Sequence, residues 1–127
     1  MSGSLIDTNV IVKLMNGDQK TIQIFETLDD IYISAITAGE LLYGAKKSSR
    51  SMENLSLFHK FLSEYIVLTV DKEVSNSYAD IKLQLVKKGV NIPENDLWIA
   101  AVAINSDLTL FTYDKHFDSI EGLKRLL

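Results

Sequence analysis

The stretch Ser4-Leu5-Ile6-Asp7-Thr8-Asn9-Val10 decides the fold. Gly3-Ser4-Leu5-Ile6 has the apolar content of a short buried strand. Asp7 falls where that strand runs out, and Thr8 or Asn9 can cap a helix that begins at Val10. A strand that ends on a carboxylate and turns directly into a helix places negative charge at the carboxyl edge of a sheet. In open α/β folds that edge is where ligands bind. The rest of the chain bears on whether other acids reach the same edge.

The helix from Val10 should stop at Gly17, and Asp18 can cap a second one with Ile22, Phe25 and Leu28 on a single face. Ile31-Tyr32-Ile33 reads as strand two. Thr37-Ala38-Gly39-Glu40 has the form of a capping box opening helix three. After the basic, Ser-rich break at Lys46–Ser51, helix four should run from about Glu53 to Tyr65 with Leu55, Phe58, Leu62 and Tyr65 inward. Ile66-Val67-Leu68-Thr69-Val70 is the clearest strand. Asp71 caps a long helix with Val74, Tyr78, Ile81 and Leu85 inward, ended by Gly89. Val90–Asn95, with the single proline, is extended, and an apolar helix starts near Asn95-Asp96. Leu108–Thr112 is strand four, Tyr113–Phe117 a loop, and Ile120–Leu127 has room for a short last strand. Strands alternating with helices imply a parallel sheet covered on both faces, with right-handed crossovers.

A chain of 127 residues, 46% hydrophobic and 24% charged, suits one globular domain spanning 1–127. The absence of cysteine excludes disulfides, thiolate catalysis and cysteine-based zinc sites. No export signal and no membrane-length apolar run are visible, so a cytoplasmic protein without membrane contact is expected. A net charge of −4 argues against a protein that coats nucleic acid. It is compatible with an enzyme acting on nucleic acid, because bound divalent cations can supply local positive charge.

In a parallel sheet, strand exits and the starts of the following helices share one edge. Asp7 follows strand one, Glu40 opens the helix after strand two, and Asp114 follows strand four. Asp96 joins them if residues 89–95 climb back alongside the long helix, a reach of roughly 20 Å when extended. Four carboxylates in one cleft need a counter-charge, and an oxygen-rich set suits Mg²⁺ or Mn²⁺. Such a site can activate water for phosphodiester hydrolysis. Each acid also has a plainer reading. Asp7 can be a helix cap, Glu40 the reciprocal partner of Thr37, Asp96 a charge favoured at a helix start, and Asp114 a turn residue. Their joint placement carries the argument.

Leu5-Ile6-Asp7-Thr8-Asn9-Val10, Thr37-Ala38-Gly39-Glu40-Leu41, Asn95-Asp96-Leu97-Trp98-Ile99-Ala100-Ala101 and Phe111-Thr112-Tyr113-Asp114-Lys115-His116-Phe117 resemble the four acidic motifs of PIN-domain nucleases. The small size and the Leu-Tyr-Gly after the glutamate make the chain most similar to VapC-type toxins of toxin–antitoxin pairs. The resemblance implies a three-layer α/β/α sandwich with a parallel sheet of about five strands in the order 3-2-1-4-5. It implies a Mg²⁺- or Mn²⁺-dependent endoribonuclease, a homodimer, with tRNA-like RNA as substrate. A VapB-like antitoxin would lay a C-terminal segment across the cleft. By the same carry-over Asp7, Glu40, Asp96 and Asp114 bind metal, with Asp7 and Asp96 the principal ligands. Thr8, Asn9 and Thr112 would orient them or the phosphate. The start, Met1-Ser2-Gly3-Ser4, is less apolar than in relatives and reads as an altered or tagged terminus.

Lys46, Lys47 and Arg50 form the best candidate cluster for positioning an RNA backbone; a solvated basic surface is the alternative. His116 reads as an exposed loop residue and His59 as structural. Trp98 could stack a base, but its spacing with Ile99 and Val102 favours the core, and Tyr32 and Tyr43 read the same way. Two other functions fit the broad pattern. One is a phospho-acceptor signalling domain, which needs paired acids at strand one where only Asp7 stands. The other is a catalytically silent PIN-like binding module, which the intact acid set disfavours.

Overall fold

Strand β1 (Ser4–Ile6) lies between β2 (Ile31–Ser34) and β4 (Thr109–Phe111) and runs parallel to both. The computed structural model describes residues 3–127, so the expectation about Met1-Ser2 lies outside the described residues. Strand β3 (Ile66–Leu68) extends the sheet beyond β2, and β5 (Arg125–Leu126) extends it beyond β4. The order β3-β2-β1-β4-β5, parallel throughout, is the one expected.

The two-residue period of the strands builds the three layers. Leu5, Tyr32, Leu68 and Leu110 pack into one apolar cluster with α5 (Lys72–Lys88) and α6 (Glu94–Asn105). Their neighbours Ile6, Ile33 and Phe111 pack into the other, with α1 (Thr8–Met15), α2 (Gln19–Glu26), α4 (Ser51–Ser63) and Leu41 of α3 (Ala35–Lys47). The small residues Ala100, Ala101 and Ala103 are fully buried with Ile99 and Val102, so α6 is apolar nearly all round. Asp18 and Asp71 cap α2 and α5 through Thr21 N and Val74 N, and Gly89 ends α5 in the left-handed region, as the sequence predicts.

Several boundaries differ from expectation. Helix α1 begins at Thr8 rather than Val10, and Asp7 is its cap, accepting from Thr8 N. In α2, Thr21 rather than Ile22 is fully buried, because it hydrogen-bonds inward to Tyr113. Helix α3 begins at Ala35, capped by Ser34, which accepts from Thr37 N. Thr37 is therefore inside the first turn and Glu40 is released from any capping box. Helix α4 runs two residues earlier than expected, at Ser51–Ser63. Strand β3 stops at Leu68 rather than Val70; it is the edge that the expected order implies, with Ile66 60% exposed. The segment read as a loop after β4 contains a 3-10 helix, Lys115–Ser119, with Asp114 as its cap. Tyr43 is 65% exposed and His59 is exposed, so neither belongs to the core.

Trp98 is a packing residue. Its ring stacks on Tyr78 at 3.9 Å with 7° between planes, joining α6 to α5. Trp98→Ala should therefore lower stability by about 2 kcal/mol, from lost burial and stacking. Thermal melting reads that loss, and RNA affinity measured below the melting range should not change. A large drop in affinity with an unchanged melt would restore the base-stacking role.

Candidate active site

Register brings the first acidic motif together with the last. Ile6 pairs with Phe111, and Asp7 N donates to the Phe111 carbonyl at 2.9 Å, so Asp7 and Thr112 leave adjacent strands side by side. Asp7 is 4% exposed. Its Oδ1 accepts from Thr8 N at 2.8 Å and its Oδ2 from Thr112 Oγ1 at 2.7 Å, with Asn9 Nδ2 at 3.3 Å from Oδ2. Thr112, fully buried, is a hub. The Asp114 amide donates to its Oγ1 at 3.0 Å and Asn9 Nδ2 approaches to 3.3 Å. Asn9 Oδ1 in turn accepts from Tyr113 N at 3.1 Å, which fastens the start of α1 to the end of β4.

Glu40 sits in the second turn of α3. Thr8 Oγ1 donates to its Oε1 at 2.5 Å and Asn95 Nδ2 to its Oε2 at 3.2 Å. Freed from the capping box, this carboxylate bridges the starts of α1 and α6. Asp96 lies in the first turn of α6, where Pro93 occupies the cap position and makes no side-chain cap. The extended segment after Gly89 does return the chain to the edge where Asp7 stands. His116 Nδ1 lies 3.1 Å from Asp96 Oδ2 and 3.0 Å from Asp114 Oδ1. Arg125 supports this corner from β5, donating to the Asp114 carbonyl at 3.3 Å and pairing with Asp118.

Thus the structure brings together Asp7, Glu40, Asp96 and Asp114 with Thr8, Asn9 and Thr112. The basic cluster is not among them. Lys46 and Lys47 lie in the last turn of α3, about 9–10 Å further along the axis than Glu40 at 1.5 Å per residue. Lys47 lies 4.9 Å from the Tyr43 ring centre, and Arg50 pairs with Glu53 at 2.9 Å.

Two residues at the site escape sequence reasoning. The sequence offers Asn95 only as the neighbour of Asp96, and His116 as a loop residue and candidate substrate contact rather than as a partner of the acids. Its position two residues after Asp114 was the available signal.

Electrostatics follow from burial. Desolvation is the main cause that raises the Asp7 carboxyl from its ordinary 3.8 to about 6. The Thr112 and Thr8 hydrogen bonds pull it down, and the charges of Asp96 and Glu40 push it up. Asp96 is raised too, by burial first and by Asp114 and Glu40, against the bond from His116. His116 is raised, chiefly by its bond to Asp96. The donor set is hard oxygen with one imidazole, and its like charges are under-compensated. That chemistry fits a divalent cation. Glu40 and Thr8 also line a groove of about 440 Å³ between α1, α3 and α4, together with Val12, Leu41, Leu57 and Phe58.

Comparisons with known proteins agree with this geometry. The PIN domain family model matches residues 4–123. Ribonuclease VapC2 of Rickettsia felis is 32% identical over 124 residues, covering 94% of this chain and 92% of that protein. The tRNA(fMet)-specific endonuclease VapC of Salmonella typhimurium is 29% identical over 123 residues, covering 94% and 93%. Among solved structures, VapBC2 from Rickettsia felis bound to a promoter DNA fragment superposes with a TM-score of 0.91 at 31% identity, covering 98% of this chain and 97% of that one. With its fold, its ordered acids and these relatives in agreement, the chain belongs to the PIN-domain family and groups there with the VapC ribonucleases.

Proposed function

We propose that this protein is the toxin of a VapBC-type toxin–antitoxin pair, an endoribonuclease that hydrolyses RNA phosphodiester bonds with the help of Mg²⁺ or Mn²⁺. The observation that supports the reading is that Asp96 and Asp114 offer oxygens within 4.8 Å of each other, while the charges of Asp7 and Glu40 act on the same corner and the Asp7 carboxyl is raised to about 6. Asp7 and Asp96 would be the principal ligands, with Glu40 and Asp114 completing the set. When bound, such a cation supplies counter-charge to a phosphodiester and makes water a competent nucleophile near neutral pH.

The chain's own residues do the positioning. Thr112 and Asn9 fix the rotamer of Asp7, Thr8 and Asn95 hold Glu40 across the cleft, and Asp114 is set by the Thr112 hydroxyl and Arg125. Preorganised acids need no rearrangement when substrate arrives. Among the described residues no lysine or arginine pairs with the carboxylates of Asp7, Glu40, Asp96 or Asp114, so phosphate binding in this cleft would depend on the metal. Lys46, Lys47 and Arg50 would then serve only a longer RNA, whose backbone extends past α3.

A relative named for cleaving tRNA(fMet) makes tRNA the substrate class of choice. The groove that Glu40 and these apolar side chains line suits an amphipathic antitoxin segment carrying a basic residue. Action in the cytoplasm as a homodimer completes the reading; among the described residues no helix is long and apolar enough to cross a membrane.

The test is cleavage of total RNA by purified protein. Chelation should abolish cutting, excess Mg²⁺ or Mn²⁺ should restore it, and expression should arrest growth unless the antitoxin is co-expressed. Cutting that persists in chelator would overturn the metal assignment. Stable acetyl-phosphate labelling without RNA cleavage would favour the phospho-acceptor alternative.

A further inference from the structure

We infer that His116 is a direct nitrogen ligand of the active-site metal, making the acidic pocket of this chain a mixed carboxylate–imidazole site. The inference rests on the proposed metal-dependent function and concerns which atoms hold the ion. Asp96, Asp114 and His116 offer ligand atoms that all lie within 4.8 Å of one another. The His116 Nδ1 stands 3.1 Å from Asp96 Oδ2 and 3.0 Å from Asp114 Oδ1. Both separations are short enough for the three ligand atoms to share one cation.

Local structure holds the imidazole there. Asp114 caps the 3-10 helix by accepting from His116 N at 2.9 Å, which fixes the backbone two residues from the carboxylate. Arg125 anchors the same segment through the Asp114 carbonyl and Asp118. Nδ1 faces both carboxylates, the position from which an imidazole nitrogen would share their cation. The other ring nitrogen is left to solvent or to a substrate oxygen.

The consequence is metal preference. A borderline nitrogen donor is worth more to Mn²⁺ than to Mg²⁺, which prefers oxygen and water. Removing the imidazole should cost Mn²⁺ affinity about 10–100-fold, on the scale seen when groups around a metal are lost. Mg²⁺ affinity should change far less.

The experiment is pulsed electron paramagnetic resonance of Mn²⁺ bound to the full chain, with calorimetric affinities for Mn²⁺ and Mg²⁺. Wild type should show coupling to a coordinated ¹⁴N that changes to the ¹⁵N pattern on ¹⁵N-histidine labelling. His116→Gln, which offers an oxygen instead, should lose the coupling and narrow the Mn²⁺-to-Mg²⁺ ratio. Because His116 is half exposed, the substitution should leave the melting temperature of the metal-free fold close to that of wild type. Mn²⁺ bound stoichiometrically with no histidine coupling overturns this inference and leaves the proposed function standing. Failure of wild type to bind either ion overturns the proposed function itself.

Discussion

An Asp7→Asn variant should lose roughly a thousandfold or more of its nuclease activity, the equivalent of several kcal/mol of lost electrostatic assistance, and yet melt at a higher temperature than wild type when both are metal-free. The two effects have one cause. Burial raises the Asp7 carboxyl from 3.8 to about 6, which at neutral pH amounts to about 3 kcal/mol of instability carried by the ionised group. Asparagine removes that charge. It returns part of the gain because its amide presents a donor where Asp7 Oδ2 accepted from Thr112 and Asn9, an offset of about 1 kcal/mol. A net gain of about 1–2 kcal/mol should raise the melting temperature by about 3–8 °C.

The pH dependence has a definite sign. The native state holds the Asp7 proton more tightly than the unfolded chain, so wild-type stability falls as pH rises from about 3.8 through about 6. Below that window both states are protonated and the penalty vanishes. Asp96, also raised, acts in the same sense. His116, whose folded form is favoured as the cation, likewise loses its contribution as pH rises through its raised value. Those two remain in the variant, so the difference between melting curves isolates Asp7. It should be small near pH 4 and full by pH 7. Added Mn²⁺ should then stabilise wild type by mass action and the variant little. A variant that melts lower than wild type at pH 7 in chelator would mean that the hydrogen bonds of Asp7 outweigh its desolvation.

How far this could be read from the chain depends on the range of the interactions involved. The sheet order came from the PIN resemblance and the general alternation of strands with helices, and Asp18, Asp71 and Gly89 announced their caps because capping is local. The convergence of Asp7 with Asp114 followed from strand exits alone. Glu40 was legible as an acid near the edge, but Thr-x-x-Glu misassigned its partner. Ser34 took the cap instead, and which residue caps a helix is settled by where the preceding strand stops. The exposure of Tyr43 depends on how α3 packs, a property of the assembled fold, whereas the edge position of β3 follows from the expected strand order. The carboxylate partners of His116 are not legible in the sequence, because they include Asp96, twenty residues back, and only the return of the chain after Gly89 brings α6 to it.

Replacing the hub, Thr112→Val, should remove about 99% of nuclease activity and cost about 3 kcal/mol of stability at neutral pH, while Thr112→Ser should keep most of both. Valine has nearly the same volume and β-branching, so strand β4 and its packing are preserved. What goes is one oxygen with three partners. Asp7 Oδ2 keeps only the 3.3 Å approach of Asn9, and a hydrogen bond to a charged group contributes about 1.5–3 kcal/mol. The Asp114 amide loses its acceptor, which adds about 1–3 kcal/mol to the extent that water does not replace it. Activity suffers because Asp7 and Asp114 are then oriented independently, and misplacing reacting groups by about 1 Å costs about a hundredfold. Serine restores the oxygen and forfeits one buried methyl, about 1 kcal/mol. Rates of RNA cleavage at a temperature where circular dichroism shows both variants folded separate positioning from unfolding. If valine and serine lose activity equally there, the methyl rather than the hydroxyl matters, and the hydrogen-bonded hub does not organise the acids.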